Sequence, residues 1–314
     1  MKGLFQMREF YINHDGNIDD FVSYLLLLQA SDIKLLGVGV IDGDGYVDPA
    51  VEACQKLTDR FNLRNDSLEV ARSNSRPINS FPNDWRMAAY SFNYLPLLNE
   101  HGKPKTKKSN LPAHLDMIDK LEKADQPVTL VMTGPLTDLA RALEEKPEIV
   151  NKIKELYWMG GSLDGHGNVF TVNADSTQEW NAFWDPDAVK TVFDSSIKIN
   201  MIGLESSEEL PIDDSFRMHL SQLRRYPAFD LAAQGYAMIV SIPTAELFLW
   251  DVLTTMCALY PEIATTEEVT ASVITEGMAA GKTIRDPNGC PITLVTKANH
   301  QLFLEKFDEL LKRQ

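Results

Sequence analysis

Residues 9–30 read EFYINHDGNIDDFVSYLLLLQA, and the reading of this stretch decides the fold. Glu9 to Asn13 is a short apolar run that stops at polar residues, which predicts a strand. HDGNIDD, His14 to Asp20, follows at once with turn residues and acids. Phe21 to Ala30 then fills most of one side of a helix with apolar residues. Next, Ile33 to Ile41, IKLLGVGVI, is a continuous apolar run, as expected of a strand in a parallel sheet. DGDGY interrupts it, and Val47 to Leu63 resumes helical spacing. Strand, loop and helix in alternation imply a parallel sheet with helices packed on it. The pattern recurs. Val128–Met132 is a strand ending in TGPLTD, with a helix through Leu143, and Leu156–Met159 and Ile197–Ile202 are further strands. The expectation is a single α/β domain over residues 1–314, Rossmann-like, with a mostly parallel central sheet flanked by helices. In such sheets ligands gather at the carboxyl ends of the strands, here the loops after Asn13, Ile41, Met132 and Met159. Arg72 to Lys108 is rich in Pro, Asn and Ser and reads as a lid or a long surface loop. The C-terminal FLEKFDELLKR reads as an amphipathic helix.

Composition narrows the function. The chain has 314 residues, 44% of them hydrophobic, which suits a globular protein. A net charge of −15 argues against nucleic acid as a partner, since phosphate contacts need Lys and Arg. It suits solubility, a small neutral substrate, and carboxylates that hold a cation. Cys54, Cys257 and Cys290 are far apart and odd in number, so the expectation is reduced thiols in a cytoplasmic protein. Met1 to Arg8 lacks the apolar core of a signal peptide, and no apolar stretch has the length of a membrane span. The basic run Lys103 to Lys108 reads as a solvated turn.

The loop after the first strand carries Asp15, Asp19 and Asp20. A carboxylate at a helix start favours the macrodipole, but capping needs only one of them. The surplus points to a hard cation with oxygen ligands. A dinucleotide phosphate loop would be glycine-rich and uncharged here. A magnesium phosphotransferase remains open on this stretch, although it requires a basic phosphate clamp, and no Lys or Arg adjoins the motif.

HDGNIDD followed by an apolar helix resembles the signature of the inosine-uridine nucleoside hydrolase family. Its Gly16-Asn17 form is similar to the purine-specific inosine-adenosine-guanosine branch. The resemblance runs on through NDWR (Asn83–Arg86), MTGPLTDLA (Met132–Ala140), WMGG (Trp158–Gly161), GNVF (Gly167–Phe170), EWNAFWDP (Glu179–Pro186) and LWDVLT (Leu249–Thr254). It implies that Asp15, Asp20, the carbonyl of Thr133 and Asp251 bind Ca²⁺, with Asp15 as general base for water. Asp19 and Asn181 would hold the ribose 2′-hydroxyl, Asp251 the 3′-hydroxyl, and Asn168 and Glu179 the 5′-hydroxyl, with Met159 packed on the sugar. Trp250 stands where many members have histidine. With Trp85 it would sandwich the base, with Asp44 nearby and Asp42 the less suited neighbour. The implied activity is hydrolysis of purine ribonucleosides by a homodimer or homotetramer. Other outcomes are a pyrimidine or nicotinamide riboside hydrolase, or a silent nucleoside- or ribose-binding protein. His14 reads as structural, as do Trp158, Trp180 and Trp184. Two departures stand out. Asn13 occupies a position usually held by aspartate, and Ile239 to Phe248 is more apolar than the purine-specific flap, which carries a basic residue.

Overall fold

In the computed structural model, which describes residues 7–239 and 247–313, ten strands form one sheet. In chain order they are β1 (Arg8–His14), β2 (Ile33–Val40), β3 (Glu69–Arg72), β4 (Lys107–Lys108), β5 (Val128–Met132), β6 (Ile153–Met159), β7 (Ile199–Ile202), β8 (Ala264–Val273), β9 (Thr283–Arg285) and β10 (Cys290–Ala298). Across the sheet the order is β4-β3-β2-β1-β5-β6-β7-β10-β8-β9. Every pair from β4 to β10 is parallel, while β8 runs antiparallel to β10 and β9 antiparallel to β8.

The helices are α1 (Ile18–Gln29), α2 (Val47–Phe61), α3 (Ala88–Asn93), α4 (Pro96–Asn99), α5 (Ala113–Lys123), α6 (Thr137–Glu145), α7 (Trp180–Trp184), α8 (Pro186–Phe193), α9 (Leu204–Ser207), α10 (Asp214–Gln222), α11 (Pro227–Met238), α12 (Trp250–Leu259) and α13 (His300–Leu311). The period-two alternation of β1 divides the core. Phe10 and Ile12 pack with α1, α2, α11, α12 and α13, while Tyr11 packs on the other face with α5, α6 and α8. All 12 residues of α1 are buried, which accounts for its unbroken LLLL.

Topology places the site. From β1 the chain crosses to β2, β3 and β4, then returns to lay β5 on the other side of β1. The chain thus changes direction across the sheet at β1, and the carboxyl ends of strands at such a switch point are where ligands gather. Asn17 caps α1 in a capping box, its side chain accepting from the helix while Asp20 reaches back to the Asn17 N–H at 2.8 Å. This box puts Asp19 and Asp20 in the first helical turn.

The alternating order and the strand-to-helix start at HDGNIDD agree with expectation, with ends shifted by a few residues. Residues 72–108 differ, because α3, α4 and a short 3-10 turn at Trp85–Met87 break up the expected loop. Its apolar residues, among them Ala89, Phe92, Leu97 and Leu98, are drawn into the core. The antiparallel β8–β9–β10 arm was not anticipated; β8 is polar and largely exposed and lacks the apolar signal of the central strands. Residues 240–246, most of the segment flagged as unusually apolar, lie outside the described residues.

The DGDGY loop crosses the HDGNIDD loop at backbone distance. Gly45 N–H donates to the Asp15 carbonyl at 2.8 Å, and a Cβ on Gly45 would collide with the Gly16 carbonyl. Backbone cannot yield as a side-chain tip can. Gly45→Ala is expected to destabilise the fold by about 1–3 kcal/mol, as overpacking does, read as a lower midpoint in urea with unchanged slope.

Candidate active site

The crevice is walled by acids from separate loops. Asp15, Asp19 and Asp20 follow β1, Asp44 follows β2, and Asp251 opens α12. Asp15, Asp19, Asp20 and Asp251 are buried. Glycines let the chain close around Asp15, since a Cβ on Gly43 or Gly134 would strike its side chain. Asp15 Oδ2 accepts the Asp44 N–H at 2.9 Å. Asp20 accepts the Thr133 hydroxyl at 2.6 Å, which ties the β1 and β5 loops together. Asp44 accepts from the Asn17 amide, and its Oδ1 is buried with no partner among the described residues.

Burial and mutual repulsion drive these carboxyls toward their protonated forms. Burial raises Asp15 well above the usual range, helped by Asp20 and Asp44. Burial pushes Asp20 up to about 7 and Asp19 and Asp44 up to about 6, and lifts Asp251 further with help from Asp20, Asp19 and Asp15. A carboxyl that holds a proton cannot act as a base, so Asp15 needs positive charge nearby to work at neutral pH. Arg86 approaches Asp44 but is engaged by Asp42 at 2.5 Å and lies over the Tyr46 ring at 4.2 Å. Asp42 thus serves Arg86, which leaves Asp44 to face the crevice. Sequence reading missed Arg86, because nothing in NDWR says that it folds back onto DGDGY.

On the opposite wall, Asn181 donates to the carbonyls of Met159 (3.1 Å) and Thr133 (3.3 Å). Its Oδ1 is buried and unpartnered among the described residues. Glu179 caps α7, accepting from Gly161, Asn181 and Ala182 at 2.8–3.0 Å, and burial pushes it up to about 7. Asn168 Oδ1 accepts the Trp180 N–H at 3.2 Å. The structure therefore joins Met159, Thr133 and Glu179 through Asn181, with Asn168 bonded to the neighbouring Trp180 N–H. The donor set fits a hard cation: its members are oxygen atoms, buried, and mostly of one charge. Among the described residues no three His, Cys, Asp or Glu side chains converge to cage an ion unaided, so carbonyl, amide or ligand oxygens would have to complete a shell.

The two tryptophans stand apart. Trp85 is 48% exposed and meets the edge of Trp180 at 5.6 Å, while Trp250 meets Phe248 at 5.6 Å. Their rings do not touch each other. Trp158, Trp180 and Trp184 are buried, as expected. His14 is buried with Nε2 3.1 Å from Cys54 Sγ, and burial lowers it to about 3, so it stays neutral. Tyr236 was not anticipated; its hydroxyl donates to Asp19 from within α11, whose sequence carries no catalytic signature.

The mostly parallel sheet places these buried acids at its switch point, where such sheets bind small ligands. Comparison with known proteins is consistent with this. The profile of the inosine-uridine preferring nucleoside hydrolase family matches residues 10–305. The non-specific ribonucleoside hydrolase RihC of Escherichia coli is 30% identical over 303 residues, spanning 94% of this chain and 92% of that one. The crystal structure of an inosine-uridine preferring nucleoside hydrolase from Bacillus anthracis superposes with a TM-score of 0.94 at 42% identity, covering 98% of this chain and 100% of that one. A purine-preferring ribonucleoside hydrolase from Gardnerella vaginalis shares the fold at a TM-score of 0.78 and 24% identity, covering 97% and 99% of the two chains. The chain belongs to the inosine-uridine preferring nucleoside hydrolase family.

The carboxyl cluster makes stability depend on pH in a defined direction. These groups have folded-state values above the unfolded value near 4. Their contribution is complete below about 4 and is lost as pH rises through about 6 to 7. In EDTA the melting temperature is expected to fall between pH 5 and pH 8, and a divalent cation that binds the cluster should flatten that fall. A melting temperature in EDTA that rises over this range would contradict the arrangement.

Proposed function

We propose that this protein is a calcium-dependent hydrolase of purine ribonucleosides that releases ribose and the free base. The observation that carries the reading is the buried, like-charged crevice of Asp15, Asp20 and Asp251 beside the Thr133 carbonyl and the unpartnered Asn181 Oδ1. Asp15, Asp20, the Thr133 carbonyl and Asp251 would hold the ion. Ca²⁺ held there would supply positive charge, which favours the sugar diol and lowers the pKa of the attacking water.

Asp15 takes the proton from that water as its oxygen bonds to C1′ and the bond from C1′ to the base nitrogen breaks, a step worth ~10²–10⁴-fold. The surrounding carboxylates favour the positive charge that develops on the sugar. Asp19 and Asn181 hold the 2′-hydroxyl, Asp251 the 3′-hydroxyl, and Asn168 and Glu179 the 5′-hydroxyl, with Met159 against the ring. Trp85 and Trp250 close on the base from two segments, Asp44 lies at its edge, and solvent protonates the departing base. The exposure of Trp85 suits a stacking face that fills only when substrate arrives. The three cysteines are free, in keeping with a cytoplasmic protein, and among the described residues no helix is long and apolar enough to cross a membrane. We further propose a homodimer or homotetramer.

Base release from inosine, adenosine, guanosine and uridine, with and without EDTA, tests this reading. Purines are expected to be cleaved, Ca²⁺ to restore activity after EDTA, and Asp15→Ala to lose ~10²-fold or more. Absence of base release from all four sinks the hydrolase reading, while equal rates on uridine and purines would favour a non-specific enzyme like the E. coli relative.

The tryptophans make a separate expectation. Trp250→Ala and Trp85→Ala should each lower kcat/KM on inosine by about threefold to tenfold from lost stacking, and should lower it less on uridine. Equal losses on the two substrates would remove the base sandwich from the mechanism.

A further inference from the structure

The Asp19 carboxylate joins three helices. Its Oδ2 accepts the backbone N–H groups of Asp251 at 2.6 Å and Val252 at 3.1 Å, so a side chain from the first turn of α1 caps the first turn of α12. Leu249, at the cap position of α12, offers no side-chain bond of its own. Oδ1 accepts the hydroxyl of Tyr236 from α11. Tyr236 has no exposed surface and meets the edge of Phe216 at 5.7 Å. Its neighbour Gly235 lets α11 close on α1, since a Cβ there would lie 3.1 Å from both Ile18 and Phe92. The phenol is thus held rigidly, and its one polar atom is spent on a carboxylate of the crevice.

A carboxylate offers about four acceptor directions. Two are taken by α12 and one by Tyr236. We infer that Tyr236 is a positioning residue for ribose recognition: it fixes the plane of the Asp19 carboxylate so that the last acceptor direction is kept for the sugar 2′-hydroxyl. The inference rests on the reading above that gives Asp19 to that hydroxyl. Without the phenol, Oδ2 stays clamped to α12, but the carboxylate can pivot about that clamp, and the bond to the 2′-hydroxyl loses its preset direction. A residue that only supported the fold would affect every substrate alike.

The test is Tyr236→Phe, which keeps the ring and its packing, assayed on inosine and 2′-deoxyinosine. Loss of one hydrogen bond to a charged group predicts that kcat/KM on inosine falls about 10- to 100-fold. Turnover of 2′-deoxyinosine should change less than about twofold, so the preference for ribose shrinks by the same factor as the loss. In an Asp19→Asn background the further effect of Tyr236→Phe on inosine should also stay within about twofold. Equal losses on the two nucleosides, no loss on either, or an undiminished loss in the Asp19→Asn background overturns the inference while the hydrolase reading stands. Wild-type protein that cleaves no nucleoside overturns that reading, and the inference with it.

Discussion

Like charge held out of water is the constraint on which the rest of this structure depends. Asp15, Asp19, Asp20 and Asp251 are buried; Asp20 raises the cost of ionising Asp15, and Asp20, Asp19 and Asp15 raise that of Asp251. Such an arrangement persists only if the surrounding fold holds it, because relaxation would carry the carboxyls apart toward solvent. The holding is done by the elements packed around them. The fully buried helix α1 anchors Asp19 and Asp20, glycine backbones wall in Asp15, and Thr133 bonds to Asp20. The cost of that burial is offset by packing elsewhere, and the result is a cluster whose charge favours a positive partner.

The same acids also tie the frame together. Asp20 is at once a crevice acid and half of the capping box that starts α1. Asp19 caps α12 across space and thereby sets Asp251, which follows in that helix. Glu179 caps α7 and also accepts the Gly161 N–H from the end of β6. Helix N-termini favour negative charge, so each acid is partly stabilised where it is needed. The carboxylates of the candidate site are thus oriented by the same bonds that start the helices.

Much of this was legible in the sequence because the signals were local. HDGNIDD sits between a strand and a helix, and the surplus of acids there could not be absorbed by capping alone. The motifs TGPLTD, EWNAFWDP and LWD sit at element ends, where topology brings them together without further information. What was not legible came from across the chain. Tyr236 lies in a helix that reads as plain core, and its hydroxyl gains meaning only because α11 packs on the start of α1. Arg86 reaches Asp42 through a backbone reversal that no spacing rule encodes. β8 is largely exposed, so it lacks the apolar run that betrays the central strands.

Asn13 shows how the frame limits the charge it will accept. It stands where the family usually places aspartate, directly before His14 and Asp15. Its Nδ2 donates to Asp138 Oδ2 at 3.0 Å, while Ser73 and Ser75 donate to Oδ1 at 2.7 and 2.8 Å. Asp138 is fully buried and has three donors directed at it. An aspartate at position 13 could supply the missing donor only by carrying a proton; ionised, it would set two buried carboxylates against each other. The amide meets the same geometry with a permanent N–H. It also adds no further like charge behind Asp15, whose ionisation burial, Asp20 and Asp44 already oppose.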